Sequence, residues 1–371
     1  MMYKTYISSD EPDSMLSKIQ SRFSEIYKSY SSIDNLIDEN SILQYNFIAY
    51  EDWKITQKKK EYQIYMDMMK NKVNDLIKND KKDKTLKYID GYTKNLRETF
   101  SVMSSILSLD TPELADIQIL GNMANFYPLL IKAYRYDMTE DRRKFRKVCR
   151  LIEIFSFRVY SICDGMANKG QTRLYTIAKE FRGDYDKLYA DLKAAIFDFS
   201  SDKNFIENLS DGDFYTYYSS NVRNYFFWKY ENYLRDIEMP VAAPIPHSIF
   251  KSLNKRTKFS IEHIIPQNPK EDTLKVITAK LKHDKVTESF IENYLHSIGN
   301  LTIDPISANS SKGNAGFEVK NTMYFQKAPF KTQNELGDFL VDGKWTHASI
   351  DKRKEKIITF AKKTWCDFST L

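Results

Sequence analysis

Phe259-Ser260-Ile261-Glu262-His263-Ile264-Ile265-Pro266-Gln267 carries the apolar and β-branched side chains of a strand. Pro266 then stops the ladder, because it has no N–H to donate. Successive side chains on a strand face opposite sides, so the adjacent Glu262 and His263 are expected to act on two different faces. Two further stretches follow: Gly299-Asn300-Leu301-Thr302-Ile303, with Asn300 37 residues after His263, and Asn309-Ser310-Ser311-Lys312, with Asn309 nine residues after Asn300. Leu301 to Ile303 reads as a second short strand and Pro305 to Lys312 as a short helix.

Working outward, Met239-Pro240-Val241-Ala242-Ala243-Pro244-Ile245-Pro246 is the sharpest break in the chain. Its prolines force extended backbone and mark a boundary. A strand over Ile249–Leu253 and a basic turn (Lys255-Arg256-Thr257-Lys258) then lead into the Glu-His stretch. Residues 271–296 read as helical, and a closing helix is expected from Trp345 to Trp365.

Ahead of the break the apolar residues recur at helical spacing almost throughout. Helices are predicted beginning with Asp10-Glu11-Pro12-Asp13, then over 53–80, 86–107, 112–136, 139–166, 170–182, 184–199 and 213–238. The aromatic-rich run from Asp213 to Tyr233 reads as core packing rather than a base-stacking platform, because its spacing is helical. Gly170-Gln171-Thr172-Arg173 reads as a turn and cap, and the Walker and dinucleotide glycine motifs are absent. Three regions follow: a helical N-terminal region over 1–110, a helical domain over 111–240, and a third domain over 241–371.

Composition narrows the function classes. The chain holds 56 Lys and Arg against 50 Asp and Glu among its 371 residues. From residue 241 onward there are 20 basic and 14 acidic side chains, and before it 36 of each, so the whole positive excess lies in the third domain. That distribution suits a polyanionic partner. No apolar run reaches the roughly 18 residues of a membrane span, and Met1 to Tyr6 lack the apolar core of a signal peptide. Cys149, Cys163 and Cys366 are scattered and form no C-x-x-C pair, which fits a reducing cytoplasm and argues against a zinc site.

The three C-terminal stretches together resemble the HNH, or ββα-metal, nuclease finger: E-H-I-I-P-Q, then G-N-L-T, then A-N-S-S-K. With Y-L-H-S-I-G-N-L-T, the Phe317–Lys320 segment and the closing helix, the chain is more specifically similar to the C-terminal part of GmrSD-type modification-dependent restriction enzymes. I-L-G-N-M at 119–123 and L-I-E-I-F-S-F-R-V at 151–159 extend the likeness to about 115–371. The resemblance implies a mainly α fold ending in an α+β domain with a ββα-metal finger. It also implies a DNA endonuclease that acts against foreign, modified DNA.

In that reading His263 is the general base, since neutral imidazole accepts a proton near pH 7, and Asn300 positions it. Glu262 and Asn309 supply oxygen ligands to Mg²⁺ or a related cation such as Mn²⁺. Lys255, Arg256, Lys258, Lys312, Lys320 and Arg353 are the expected DNA contacts. His296 is expected to pack or hydrogen-bond beside the Gly299-Asn300 turn, not to ligate. The D-G-Q-Q-R motif of the family's nucleotide-hydrolysing domain is missing. The chain is therefore expected to be one subunit of a split system, or a fragment, working with a nucleotide-hydrolysing or sensor partner. Two other readings stand beside this one: a non-catalytic helical DNA- or protein-binding subunit with a vestigial finger, and an RNase or nickase toxin.

Overall fold

The computed structural model describes residues 13–51, 63–79, 82–255, 259–271, 273, 290–305 and 313–369. The chain is mainly helical. In order come α1 (Asp13–Ser31), α2 (Glu39–Tyr50), α3 (Gln63–Lys78), α4 (Lys82–Ser108), α5 (Pro112–Leu120), α6 (Tyr127–Tyr136) and α7 (Arg143–Phe155). Next are α8 (Gln171–Glu180), α9 (Tyr185–Phe199), α10 (Asp202–Ser210), α11 (Phe214–Tyr217), α12 (Ser220–Ile237) and α13 (His247–Lys255). Strands β1 (Phe259–His263) and β2 (Leu301–Pro305) precede α14 (Phe317–Met323), α15 (Lys331–Asn334) and α16 (His347–Ala361).

Local chemistry explains where the predicted helices break. The 112–136 stretch divides because Gly121 and Asn122 both adopt left-handed backbone, at φ 84° and 58°, and Pro128 then opens α6. The 213–238 stretch divides at Ser219, whose side chain accepts from the Val222 N–H and starts α12. Residues 249–253, expected as a strand, lie instead within α13. Ending the proline segment at Pro246 starts a helix rather than a ladder: the Phe250 N–H bonds the Pro246 carbonyl, and Phe250 is buried while Ile249 points outward. Gly170, at φ 75°, caps α8 as read from the sequence.

Two compact units are interleaved along the chain. One comprises residues 1–114, 122–152 and 170–195, the other 115–121, 153–169 and 196–371. In the first, α1 meets α4 through Ile19 and Ile89, with Arg22 bonded to Asp90 and Thr93. Lys132 of α6 is fully buried there and donates to the carbonyls of Ala49, Ala178 and Lys179, at the C-terminal ends of α2 and α8.

In the second unit the aromatic run is core, as expected: Phe214, Tyr225, Phe226, Phe227, Trp228 and Tyr230 are all buried. The helices on both sides of the proline segment belong to this unit. The segment itself is stitched to α12, because proline-rich backbone leaves carbonyls free for side-chain donors. Asn232 bonds both the N–H and the carbonyl of Ile245, Trp228 Nε1 bonds the same carbonyl at 3.1 Å, and Arg235 reaches Ala243. The C-terminal end is anchored too. Trp365 stacks on Phe157 with centroids 4.3 Å apart, and Glu153 accepts from both Tyr225 and Trp365.

Candidate active site

The stretch that opened the sequence reading is a strand. β1 pairs antiparallel with β2, and the register sets Glu262 opposite Thr302 and His263 opposite Leu301. Alternation sends the two side chains to opposite faces. What holds the pair is apolar packing. Ile264, Ile265, Phe290, Leu295, Phe317, Phe325, Leu336, Trp345 and Ile350 form one buried cluster beneath it.

Asn300 is the staple of this arrangement and is fully buried. Its Oδ1 accepts from the Ile265 N–H at 2.9 Å, and its Nδ2 donates to the carbonyls of Leu295 and Ile265. Its own carbonyl accepts from the Ile264 N–H. One side chain therefore locks the residues that follow His263. The neighbouring Gly299 has no room for a side chain, since a Cβ there would overlap the Ile350 carbonyl oxygen.

On one face, Glu262 meets Lys320. The ammonium lies 2.6 Å from Glu262 Oε1 and 2.8 Å from the His263 carbonyl oxygen, and both side chains are buried. Directly across the ladder, the buried Thr302 Oγ1 has no hydrogen-bond partner among the described residues. A carboxylate and an unused hydroxyl on one face are hard oxygen donors of the kind Mg²⁺ takes. The Lys320 ammonium already supplies the charge that such an ion would bring. Among the described residues no three His, Cys, Asp or Glu side chains converge as a metal cluster. Among the described residues the oxygen donors on this face are thus one carboxylate, already paired with Lys320, and one hydroxyl.

On the other face, His263 sits in a cage that the sequence did not disclose. Its Nε2 lies 3.1 Å from His296 Nδ1, and its Nδ1 lies 3.2 Å from Gln267 Nε2. With the Gln267 amide donating to Nδ1, the His263 tautomer that completes both contacts carries its proton on Nε2, facing His296. The Tyr215 ring meets His263 edge-on at 4.4 Å and stacks on His296 at 5.7 Å. The Tyr215 N–H also donates to the His296 carbonyl. Arg223 places its guanidinium 4.0 Å over the same tyrosine ring. Burial, followed by the neighbouring His296, Lys320 and Arg223, pushes the His263 pKa down to about 3, so its imidazole is neutral.

Not every expected contact lies where the sequence suggested. Lys320 and Arg353 are not surface cations. Lys320 is consumed by Glu262. Arg353 is fully buried and bonds Glu335, the carbonyls of Gly299 and Leu301, and Thr332. Expected as a DNA contact, Arg353 is instead turned inward by the closing helix to brace the start of β2. Arg256, Lys258, Asn309 and Lys312 lie outside the described residues, as does the Lys255 side chain. His296, Tyr215, Gln267 and Arg223 are the additions. His296 had a local signal, standing three residues before Gly299, and Gln267 closes the opening stretch itself. Tyr215 and Arg223 lie some forty residues upstream of the site, and no local pattern marks them.

Residues 199–360 match the family model described as GmrSD restriction endonucleases, C-terminal domain. That segment is similar to the C-terminal domain of GmrSD restriction endonucleases. The match contains every residue of the cage and lies wholly inside the second compact unit. The match is narrower than the 115–371 span of the likeness expected from the sequence. Among curated proteins no relative matches the chain.

Proposed function

We propose that the chain is a divalent-cation-dependent HNH endonuclease that hydrolyses phosphodiester bonds in foreign DNA, modified DNA included, as part of a restriction system. The observation that carries this reading is the placement of His263: on a strand pair held by the Asn300 staple, inside the segment that matches restriction endonucleases. Gln267 is exposed, so its amide can swing away and uncover His263 Nδ1 for an incoming water. His263 takes the water's proton on Nδ1. Its Nε2–H stays directed at His296, whose lone pair steadies the imidazolium that forms. Asn300 keeps the ring in place through the backbone that follows it.

Glu262, the Thr302 hydroxyl and Asn309 would hold the cation, Mg²⁺ or Mn²⁺. When bound it would neutralise charge on the phosphate and the leaving oxygen. No zinc is needed, since the buried apolar cluster does the structural work. No described helix is long and apolar enough to cross a membrane, and we place the protein in the cytoplasm with DNA and a nucleotide-hydrolysing or sensor partner.

One observation favours the second reading, a binding subunit with a closed finger. The Glu262 carboxylate is already matched by a buried ammonium, and both His263 nitrogens face protein groups. A plasmid assay with plain and modified DNA, with and without Mg²⁺, separates the two. The nuclease reading requires nicked or linear product that depends on the cation and is lost in His263→Ala. Binding without any product would leave the second.

A further inference from the structure

Arg223 is placed in a way that packing alone does not explain. It lies in the first turns of α12 and is half-buried. One guanidinium nitrogen donates to the Tyr215 carbonyl, while its Nε is buried with no hydrogen-bond partner among the described residues. Other arginines of the same unit meet carboxylates: Arg158 with Asp202, Arg235 with Glu231 and Arg353 with Glu335. Arg223 has no such partner among the described residues. A partly desolvated cation without a counterion is costly to keep, and burial accordingly lowers its pKa.

What surrounds the guanidinium indicates which anion it suits. Tyr215 carries Arg223 on its ring, touches His263 at 4.4 Å and stacks on His296 at 5.7 Å. Two imidazoles and a guanidinium thus share one tyrosine. The Glu262 carboxylate, the nearest acid on β1, is turned to the opposite face and held by Lys320. A planar fork of N–H donors matches the oxygens of a phosphate.

We propose that Arg223 forms the anion subsite of this centre, binding the non-bridging oxygens of the scissile DNA phosphodiester beside His263. The proposal rests on the nuclease reading above and assigns the group that holds the reacting phosphate. Tyr215 positions the guanidinium from below, and His296 links the subsite to the base.

The test uses the full chain and its Arg223→Ala and Arg223→Lys variants. Three quantities are read: melting temperature, stabilisation by inorganic phosphate, and cleavage resolved into kcat and KM. The expected result is that wild type gains melting temperature with phosphate and Arg223→Ala does not. Arg223→Ala should also lose on the order of 100-fold or more in kcat per folded molecule. Arg223→Lys should recover part of both, because it restores the charge without the fork. Equal phosphate stabilisation and equal kcat in wild type and Arg223→Ala would overturn the proposal and leave Arg223 as a cap on the Tyr215 carbonyl. If Arg223→Ala does not fold, Arg223→Lys with wild-type kcat and wild-type phosphate response overturns it equally. If wild type binds phosphate through Arg223 yet cleaves no DNA, the subsite stands and the nuclease reading falls.

Discussion

The Lys320 ammonium and the Glu262 carboxylate form a buried ion pair at 2.6 Å, and the same ammonium holds the carbonyl of His263 at 2.8 Å. A residue from α14 thereby ties the candidate ligand and the candidate base to one charge. A buried pair gains little net stability, but removing one partner strands the other. Lys320→Met is expected to cost about 3–5 kcal/mol by denaturant unfolding. Adding Mg²⁺ should restore more stability to this variant than to wild type, since the ion can then take the place of the ammonium at Glu262. An equal Mg²⁺ response in both proteins would argue against Glu262 as a ligand.

His296 acts on the reaction through His263. His296→Phe is expected to lower kcat on the order of 100-fold with KM little changed, because the His263 Nε2–H loses its acceptor. His296→Gln keeps an acceptor oxygen and should recover most of the rate. Equal losses in the two variants would reduce His296 to packing against Tyr215.

The turn before β2 is expected to be intolerant of change. Asn300→Ala removes three side-chain hydrogen bonds, at 2.8 to 3.3 Å, from a fully buried position. It should cost about 2–4 kcal/mol, given roughly 1 kcal/mol for each buried bond plus the unpaired groups left behind. Gly299→Ala should be at least as damaging, since the added carbon overlaps the Ile350 carbonyl oxygen. Calorimetry of the two variants measures this, and an unchanged melting temperature in either would contradict the staple.

Lys132 makes stability depend on pH in the first unit. Three carbonyl acceptors favour its ammonium, but burial, with Arg182 and Arg135 nearby, outweighs them and pushes the pKa down to about 7. The unfolded chain keeps that proton to about pH 10.5, so between 7 and 10.5 it holds a proton that the folded chain has released. Stability therefore rises with pH across this window, by up to about 1.4 kcal/mol per unit. The difference in unfolding free energy between wild type and Lys132→Met should move in favour of wild type from pH 7 to 9. A difference that stays flat would mean that Lys132 remains charged in the fold.

A strand in the 259–267 stretch and the pairing segment at 301–303 were legible in the sequence, although the ladder ends at His263, before Pro266. Each depends on local chemistry: β-branched residues closed by proline, a glycine-asparagine turn, and a fixed interval between them. Helical periodicity likewise revealed most of the long helices, and the core role of the aromatic run, because an amphipathic face is written every three to four residues.

Tertiary structure alone decided which cations stay in water and which are consumed. Lys320 and Arg353 look like surface charges in a one-dimensional reading. Both are buried because a carboxylate, Glu262 or Glu335, waits for them on another element. Arg223 is the converse case: nothing in its neighbourhood along the chain marks it, and only the fold reveals a guanidinium that shares a tyrosine with two histidines and, among the described residues, pairs with no carboxylate. Spacing along a chain records which face a side chain takes. Whether that side chain finds a counter-charge depends on residues tens of positions away, and only the packed fold brings them together.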